Sequence, residues 1–308
     1  MYVITGASGH TGSVVARSLL ERGERVRVVL RDESKASAWR QWGAEVVLAD
    51  LHDAAALTLA MMGARGAYLL LPPPPPSSTG VMEDRLRMVD AMRQAVKASG
   101  VPHFVLLSSM GAQHAEGTGL VKMLHLAERE LGALGVPMTI LRAAYFMENW
   151  GFALPPAVEA GVLPSFFGPS DRPIHMVATR DIGEVAARML LEPALSRRVV
   201  ELTGPVDYSP DEVADTAARL LGRPVHVEEH NVAAMVPMLE ELGFSGELAH
   251  LVMELTEAIN RGHAVFERPR QFARGRTTLD EVFGGMLRAM KALPHLGFGA
   301  EESTSVSQ

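Results

Sequence analysis

Three glycines, spaced three residues apart, give the clearest chemical signal in the chain. They lie in the run GASGHTG, which follows a short apolar segment directly and precedes a helical pattern. The first glycine permits a tight turn, the second lets the backbone approach a pyrophosphate, and the third lets the helix pack on the strand, while N–H groups at the helix start hold the anion. The alternative is a glycine-rich turn that binds nothing. We predict a dinucleotide phosphate site formed by Gly6, Ser8, Gly9, His10, Thr11 and Gly12.

A basic residue stands where the adenosine ribose of such a cofactor would lie. Arg31 ends the predicted second strand, about 20 residues after the glycine turn, and Lys35 is nearby. An arginine binds a 2′-phosphate through charge-assisted hydrogen bonds, so the pattern favours NADP(H). The alternative is that Arg31 is a solvated surface residue and that Asp32 caps the next helix. Asp50 and Leu51 follow the third predicted strand and are expected near the adenine.

The usual proton donor of a short-chain dehydrogenase, a tyrosine with a lysine four residues later, is missing. The residues four positions after Tyr2, Tyr68, Tyr145 and Tyr208 are Gly6, Pro72, Asn149 and Glu212. The candidates on the corresponding helix are Lys122, which could hold the nicotinamide ribose or a substrate oxygen, and His125, which could exchange a proton near neutral pH. Both could equally be solvated helix charges.

Composition excludes several other classes of protein. The chain has 308 residues, 47% of them hydrophobic, and a net charge of -7 without a basic run, so we expect neither nucleic-acid nor membrane binding. It has no cysteine, its histidines have no metal-ligand spacing, and it has no G-x-S-x-G motif, which argues against thiolate, metal and serine-hydrolase chemistry. The first predicted strand begins at Tyr2, leaving no room for a signal peptide, and we expect a cytoplasmic protein.

The elements that position these residues alternate between strands and helices. Strands are predicted at residues 2–5, 25–30, 44–48, 67–71, 103–108 and 137–141, with helices between them. This rhythm predicts an α/β fold with a doubly wound parallel sheet (Rossmann) over residues 1–145, to which residues 174–204 return. Residues 146–308 are predicted to form a smaller α/β substrate region with a disordered tail at 300–308.

Two further stretches are expected to enclose the ligand. Five consecutive prolines, residues 72–76, follow the fourth strand, and we expect a rigid lip over the cofactor that starts at Leu71 and Pro72; a linker is the alternative. Ser108 ends the fifth strand, at the sheet edge where ligands bind. Beyond Arg142, aromatic side chains concentrate in irregular chain and suit a planar ligand, although ordinary core is an equal alternative. The expected substrate contacts are Phe146, Asn149, Trp150 and Phe166, with Tyr145 on the nicotinamide side.

Several of these motifs together resemble the NmrA-like branch of the atypical short-chain dehydrogenases. They are GASGHTG, Arg31, Ser108-Ser109, His125 with Glu128, TILR at 139–142 and FMENW at 146–150. The resemblance covers roughly residues 1–190, with a looser echo at Thr277–Leu279 and a departure at Ala143-Ala144. It implies the phosphate loop at residues 6–12, the 2′-phosphate at Arg31, and the nicotinamide side at Ser108, Tyr145, Phe146 and Asn149. Members of this family include NADPH-dependent reductases of quinones or dyes and non-catalytic redox sensors.

We therefore expect an NADPH-dependent oxidoreductase that passes hydride to a quinone or similar conjugated carbonyl compound. A quinone's reduced form spreads its charge over the ring and can collect protons from water or His125, so a strong protein acid is dispensable. One alternative is a non-catalytic NAD(P)-binding redox sensor with a protein partner. Another is a reductase or isomerase of a secondary-metabolite pathway. The sequence leaves the oligomeric state open.

Overall fold

Strands and helices alternate in a computed structural model that describes residues 1–192, 196–267 and 272–292. The strands are β1 (Tyr2–Ile4), β2 (Val26–Leu30), β3 (Glu45–Leu48), β4 (Gly66–Leu69), β5 (Phe104–Ser109), β6 (Met138–Ala143), β7 (Tyr145–Phe146), β8 (Val162–Ser165), β9 (Met176–Val177), β10 (Arg198–Thr203), β11 (His226–Glu229) and β12 (Ala273–Arg274). The α-helices are α1 (His10–Glu21), α2 (Ala36–Gln41), α3 (Ala54–Met61), α4 (Val81–Ser99), α5 (Lys122–Gly132), α6 (Leu154–Ala160), α7 (Thr179–Leu191), α8 (Pro210–Leu221), α9 (Met235–Glu241), α10 (Gly246–Asn260) and α11 (Leu279–Ala292). Short 3₁₀ turns occupy Glu33–Lys35, Gly119–Val121, Met147–Ala153 and Val232–Ala234.

Eight of the described strands form one parallel sheet in the order β12-β10-β6-β5-β4-β1-β2-β3. Strand β1 pairs with β2 on one side and with β4 on the other, so the chain winds outward in both directions from the centre. The predicted doubly wound parallel sheet is confirmed. Ligands bind such sheets at the carboxyl ends of the strands, next to the point where the winding reverses. Two small parallel pairs, β8 with β11 and β7 with β9, lie outside this sheet.

Helices cover both faces of the sheet, which explains why its central strands are apolar on both sides. Tyr2 and Ile4 of β1 belong to one buried cluster, whereas Val3 belongs to the other. Helices α1 and α7 cover the first face, and α3, α4 and α5 cover the second. A Cβ on Gly183 of α7 would lie 2.5 Å from the Cβ of Val14 of α1, so glycine is needed for the close approach of these two helices.

Two smaller clusters connect the later helices to the rest of the molecule. One joins Val81 of α4 and Met123 of α5 to Leu248 and Leu251 of α10. The other packs Phe166 against α9 and α10. Strand β10 pairs with β6 inside the main sheet. The predicted boundary near residue 145 stays a prediction, and the predicted tail at 300–308 lies outside the described residues.

Candidate active site

The glycine turn joins β1 to α1 at the carboxyl edge of the sheet. Gly6 has a φ of 64°, and its carbonyl accepts a hydrogen bond from the N–H of Gly9 at 2.9 Å. A Cβ on Gly12 would lie 2.3 Å from the Gly6 carbonyl oxygen, so only glycine lets α1 begin this close to the strand. A Cβ on Gly9 would meet nothing closer than 3.4 Å. The protein's own packing therefore tolerates a side chain at Gly9, and the space beside this exposed residue is available to a ligand.

The first turn of α1 has the properties of an anion site. Gly9 is its N-cap residue and has no side chain that could cap the helix, so N–H groups of the first turn are available to a ligand. Ser8 and His10 are exposed, whereas Thr11 is buried. The hydroxyl of Thr11 accepts a hydrogen bond from the hydroxyl of Tyr68 at 3.1 Å. Burial raises the pKa of Tyr68, so it remains a protonated donor that ties the turn to β4.

Arg31 is exposed and directly follows β2. Asp32 accepts a hydrogen bond from the N–H of Ser34 at 2.8 Å and caps the following 3₁₀ turn, which contains the exposed Lys35. Hydrogen bonds from the side chain and the backbone N–H of Ser34 lower the pKa of Asp32. The acidic residue next to Arg31 is thus used as a cap, as the sequence allowed, and the guanidinium group of Arg31 stays accessible to a phosphate.

Asp50, two residues beyond β3, lies at the same corner as Arg31. Its carboxylate accepts a hydrogen bond from the N–H of His52 at 2.9 Å and lies 2.6 Å from Nδ1 of the same residue. Nε2 of His52 lies 3.0 Å from Asp84 of α4. The backbone hydrogen bond from His52 and, more weakly, the charge of Arg31 lower the pKa of Asp50. Leu51 beside it is buried. Residues that follow β2 and β3 therefore meet α4 here.

A buried arginine that sequence reasoning missed completes this corner. Arg85 of α4 is only 3% exposed, and within the described residues its Nε has no hydrogen-bond partner. Burial lowers the pKa of Arg85, and the charge of Arg31 lowers it further, against the opposing effect of Asp84. An unpaired buried N–H beside a second guanidinium is a position that an anion would stabilise. The corner fits a nucleotide with an anionic group on its ribose. The available signal was an arginine on the same helical face as Val81 and Val89.

The proline lip (residues 72–76) is held in place by α10. The N–H groups of Gly80 and Val81, which follow the lip, donate to the carboxylate of Glu247 at 2.6 and 2.9 Å. Glu247 thereby also caps α4 from outside that helix. The side chains at the start of the lip are half-buried, namely Leu71 and Pro72. A lip fixed at its far end suits a cover over a bound cofactor better than a linker.

Ser108, predicted on the nicotinamide side, belongs to a buried ionic network. Its hydroxyl donates to Glu128 at 2.6 Å, and Arg142 donates to both oxygens of the same carboxylate at 3.0 and 2.7 Å. Arg142 also donates to Glu267 at 2.7 Å. Burial alone would lower the pKa of Arg142, but Glu128 and Glu267 reverse this and raise it. Ser108 is 2% exposed, and its hydroxyl makes its hydrogen bond within this network. The network joins β5, β6 and α5.

The two candidates on α5 have different partners. Nζ of Lys122 lies 3.5 Å from the carboxylate of Glu254 on α10. Nδ1 of His125 lies 2.9 Å from the carbonyl oxygen of Ala112. Because a carbonyl only accepts, Nδ1 must carry the proton, and Nε2 is the nitrogen left for proton exchange. The structure does not join Lys122 and His125 in one hydrogen-bonded pair.

Tyr145 lies two residues beyond β6, on the same sheet edge as Ser108. Its hydroxyl lies near the exposed side chain of Asn149, and its ring packs edge-on against Phe167 with 5.1 Å between the ring centroids. Burial raises the pKa of Tyr145, and Asn149 only partly offsets this effect. The phenol therefore remains protonated and acts as a hydrogen-bond donor.

The FMENW run, residues 146–150, contains a carboxylate that caps a helix and aromatic side chains of different burial. Glu148 accepts hydrogen bonds from the N–H and hydroxyl of Thr179 at 2.9 and 2.7 Å, and so caps α7. Phe146 is half-buried, whereas Trp150 is fully buried and Phe166 is 5% exposed. A substrate would reach Trp150 or Phe166 only if this packing opened. The hydrophobic core, weighed as the alternative for the aromatic stretch, describes these two side chains.

No group of three or more potential metal ligands occurs in residues 1–192, 196–267 and 272–292. In the same part of the chain, no helix combines the length and apolar character needed to cross a bilayer.

Comparison with known proteins matches nearly the whole described chain. The sequence profile of the NmrA-like family matches residues 2–284. Quinone oxidoreductase 2 of Escherichia coli is 27% identical over 264 residues, which cover 85% of this chain and 89% of that protein. A (4-alkanoyl-5-oxo-2,5-dihydrofuran-3-yl)methyl phosphate reductase of Streptomyces griseus is 30% identical over 235 residues, 76% of this chain and 78% of that protein. The crystal structure of the NADPH-dependent quinone oxidoreductase of E. coli complexed with NADPH is similar with a TM-score of 0.78 and 26% identity, covering 93% of this chain and 100% of that one.

Proposed function

The chain belongs to the NmrA-like family, and from this premise we propose that it is an NADPH-dependent oxidoreductase that passes hydride to a quinone or a similar conjugated carbonyl compound. The names of two relatives support the choice of acceptor. One is a quinone oxidoreductase. The name of the other describes a lactone carbonyl conjugated with a ring double bond. Both acceptors can spread the charge of a transferred hydride over a conjugated system.

NADPH, when bound, supplies the hydride. In this proposal, N–H groups at the start of α1 bind the pyrophosphate, Arg31 with Lys35 binds the 2′-phosphate, and Asp50 and Leu51 line the adenine side. The proline lip excludes water from the cofactor and is held by Glu247. The residues assigned to the nicotinamide side lie at the carboxyl ends of β5 and β6 or just beyond them, namely Ser108, Tyr145 and Phe146.

The observation that carries the choice of acceptor is that the residue four positions after Tyr145, beside its hydroxyl, is the neutral Asn149. A lysine at position 149 would lower the pKa of a tyrosine by its charge, but asparagine is neutral. Burial instead raises the pKa of Tyr145, which makes its phenol a poor acid catalyst. Reduction of a simple ketone leaves a basic alkoxide that needs a proton donor, whereas a quinone's product does not. The site therefore suits an acceptor that stabilises its own negative charge.

Proton delivery is assigned to His125 and water. The Ala112 carbonyl fixes Nδ1 of His125 as the protonated nitrogen, which leaves Nε2 to exchange protons. Lys122 is paired with Glu254 across 3.5 Å, so it can hold a ribose or substrate oxygen only by exchanging this partner. Phe146 and Asn149 keep exposed surface and are the proposed substrate contacts.

The deciding experiment is anaerobic oxidation of NADPH with a panel of quinones, simple ketones and enones, followed by cofactor absorbance. We expect turnover with quinones and none with simple ketones. A protein that binds NADPH but does not transfer its hydride to any acceptor in the panel would instead be a redox sensor. Turnover of enones without quinones would indicate a secondary-metabolite reductase. Gly9→Val, in which a side chain occupies the phosphate space, is the matched inactive control.

A further inference from the structure

We propose that Arg85 is a second specificity-determining residue of the nucleotide site, whose guanidinium group binds the 2′-phosphate of NADPH together with Arg31. The inference rests on the proposed function, because it requires that NADPH is the cofactor. It adds a residue from α4 to a site otherwise assigned to the ends of β2 and β3.

Two arginines of the protein are equally buried but differ in their hydrogen bonds. Arg142 and Arg85 are each 3% exposed. Arg142 donates to Glu128 and Glu267 through Nε, Nη1 and Nη2. Arg85 has one weak hydrogen bond, from Nη1 to the sulfur of Met88 at 3.6 Å. In the described ranges, its Nε has no partner. Buried donors are normally paired, so Arg85 is built to receive an acceptor that the protein does not itself provide.

A single carboxylate, that of Asp84, lies near Arg85 and two further basic groups. The carboxylate of Asp84 lies 3.4 Å from Nη1 of Arg85, but it also lies 3.0 Å from His52 and 3.4 Å from Arg87. One carboxylate is thus shared among three basic groups. The charge of Arg31, which directly follows β2, lowers the pKa of both Asp50 and Arg85. Two guanidinium groups that repel each other are stabilised by an anion placed between them.

The anion proposed for this corner is the 2′-phosphate of NADPH. Arg31 directly follows β2, which is the position that distinguishes a free ribose hydroxyl from a 2′-phosphate in this fold. A phosphate monoester carries about −1.5 to −2 charges at neutral pH and presents three acceptor oxygens. It can therefore accept hydrogen bonds from the exposed Arg31, and from the unpaired Nε of Arg85 once the packing that covers this buried atom opens toward the nucleotide. A cofactor without this phosphate would leave Arg85 unpaired.

The test measures binding by calorimetry, with NADPH against NADH and 2′,5′-ADP against 5′-AMP. Arg85→Met should weaken NADPH and 2′,5′-ADP by about 10- to 100-fold, the effect of losing a charge-assisted hydrogen bond. NADH and 5′-AMP should change by less than about twofold, as for a neutral surface substitution. Arg87→Met is the matched control: it removes the same charge from the same helix and the same contact with Asp84, but its side chain is 66% exposed. We expect this control to leave both affinities unchanged.

Equal losses for NADPH and NADH would overturn the inference, because Arg85 would then serve the adenine ring or the fold. Unchanged affinities for both would overturn it as well. If Arg85→Met does not fold, Asp84→Asn gives an independent measurement: removing the competing carboxylate should tighten NADPH relative to NADH by a few-fold, and an unchanged ratio counts against the inference. If NADPH binding is lost in Arg31→Ala but kept in Arg85→Met, only this inference is refuted. Wild-type protein that binds neither dinucleotide refutes the proposed function too.

Discussion

The hydroxyl group of Tyr145 lies near the side chain of Asn149, four residues later in the chain. This spacing is the one at which a short-chain dehydrogenase usually has a lysine. The neutral amide of Asn149 lowers the pKa of this phenol, but burial raises it by more. Tyr145 can therefore hold a substrate or nicotinamide group by packing and hydrogen bonding, without giving up its proton.

Tyr145→Phe should retain most of the turnover with quinones, because it removes the hydroxyl and keeps the ring. Tyr145→Ala should raise KM by removing apolar contact area. The dependence of kcat on pH should be the same in wild-type protein and Tyr145→Phe, since the phenol does not ionise near neutral pH. A 10²- to 10⁴-fold loss of kcat in Tyr145→Phe, the usual effect of removing a general acid, would make Tyr145 the proton donor of an ordinary carbonyl reductase.

Arg31→Ala should weaken NADPH binding by about 10- to 150-fold and leave NADH nearly unaffected, because a charge-assisted contact with the 2′-phosphate is lost. The measurement is a fluorescence titration with each dinucleotide. Arg40→Ala is a suitable control, since Arg40 is exposed nearby and pairs only across the surface with Glu33 at 2.8 Å. Equal losses for both dinucleotides in Arg31→Ala would show that Arg31 does not distinguish them.

Gly9→Val should fold normally but fail to bind NADPH. A Cβ at this position meets no protein atom closer than 3.4 Å, so the added side chain disturbs only the space proposed for the pyrophosphate. Circular dichroism and calorimetric titration test the two parts of this expectation. Unchanged NADPH affinity in the folded variant would remove the glycine turn from the cofactor site.

Gly12→Ala should lower the free energy of unfolding, whereas Gly9→Val should leave it unchanged. Its Cβ would lie 2.3 Å from the backbone oxygen of Gly6, and overpacking of this kind costs about 1–3 kcal/mol. Urea unfolding of Gly12→Ala beside wild-type protein measures the loss. A stability equal to that of the wild type would mean that α1 can move away from β1 without cost.

Glu128→Gln should lower the free energy of unfolding by about 3–5 kcal/mol, because removing one partner of a buried ion pair leaves the other charge inadequately compensated. Glu128 and Arg142 are 4% and 3% exposed. Glu130→Gln, two residues later on α5, breaks an exposed pair with Arg129 at 2.8 Å and should cost at most about 1 kcal/mol. Equal effects of the two substitutions in urea unfolding would contradict the role assigned to the network.

His103 should contribute a pH dependence to stability. Burial lowers its pKa, and the charges of Arg198 and Arg65 act in the same direction, against a hydrogen bond with the Leu190 carbonyl at 2.9 Å. The unfolded chain then binds a proton more readily than the folded one, so stability is lost as the pH falls below the ordinary histidine value of about 6.5. Urea unfolding on both sides of this value should show a smaller acid loss in His103→Gln than in wild-type protein. Equal losses would mean that His103 keeps its ordinary pKa on folding.

Local patterns predicted much of the fold correctly. Helix α8 begins with a capping box of the sequence pattern S-x-x-E, in which Ser209 and Glu212 exchange hydrogen bonds at 3.2 and 2.8 Å. Such interactions join residues three positions apart, so the sequence displays both partners together. Helix α11 was missed, although Leu279, Phe283 and Leu287 are buried on one face at a spacing of four residues; this periodicity was present in the sequence.

The candidate site was less predictable because its decisive contacts are distant in sequence. Glu247 and the residues it holds, Gly80 and Val81, are more than 160 positions apart, and no local pattern joins them. Trp150 illustrates a different difficulty: an aromatic side chain has the same sequence signature in a core and in a ligand site. Only the packing of Trp150 against Phe167, at 5.7 Å between ring centroids, decides between them.

The clamp formed by Glu247 has a consequence for the order of events as the chain folds. Closing a contact between residues 80 and 247 is entropically costly and comes late relative to contacts within one βαβ unit. The glycine turn, by contrast, needs only neighbouring residues. We expect refolding protein to recover its far-ultraviolet circular dichroism before it recovers tight NADPH binding, with a delay that Glu247→Gln abolishes at the expense of final affinity. Synthesis of the chain would likewise produce a nucleotide-binding turn well before α10 emerges to close the lip over it.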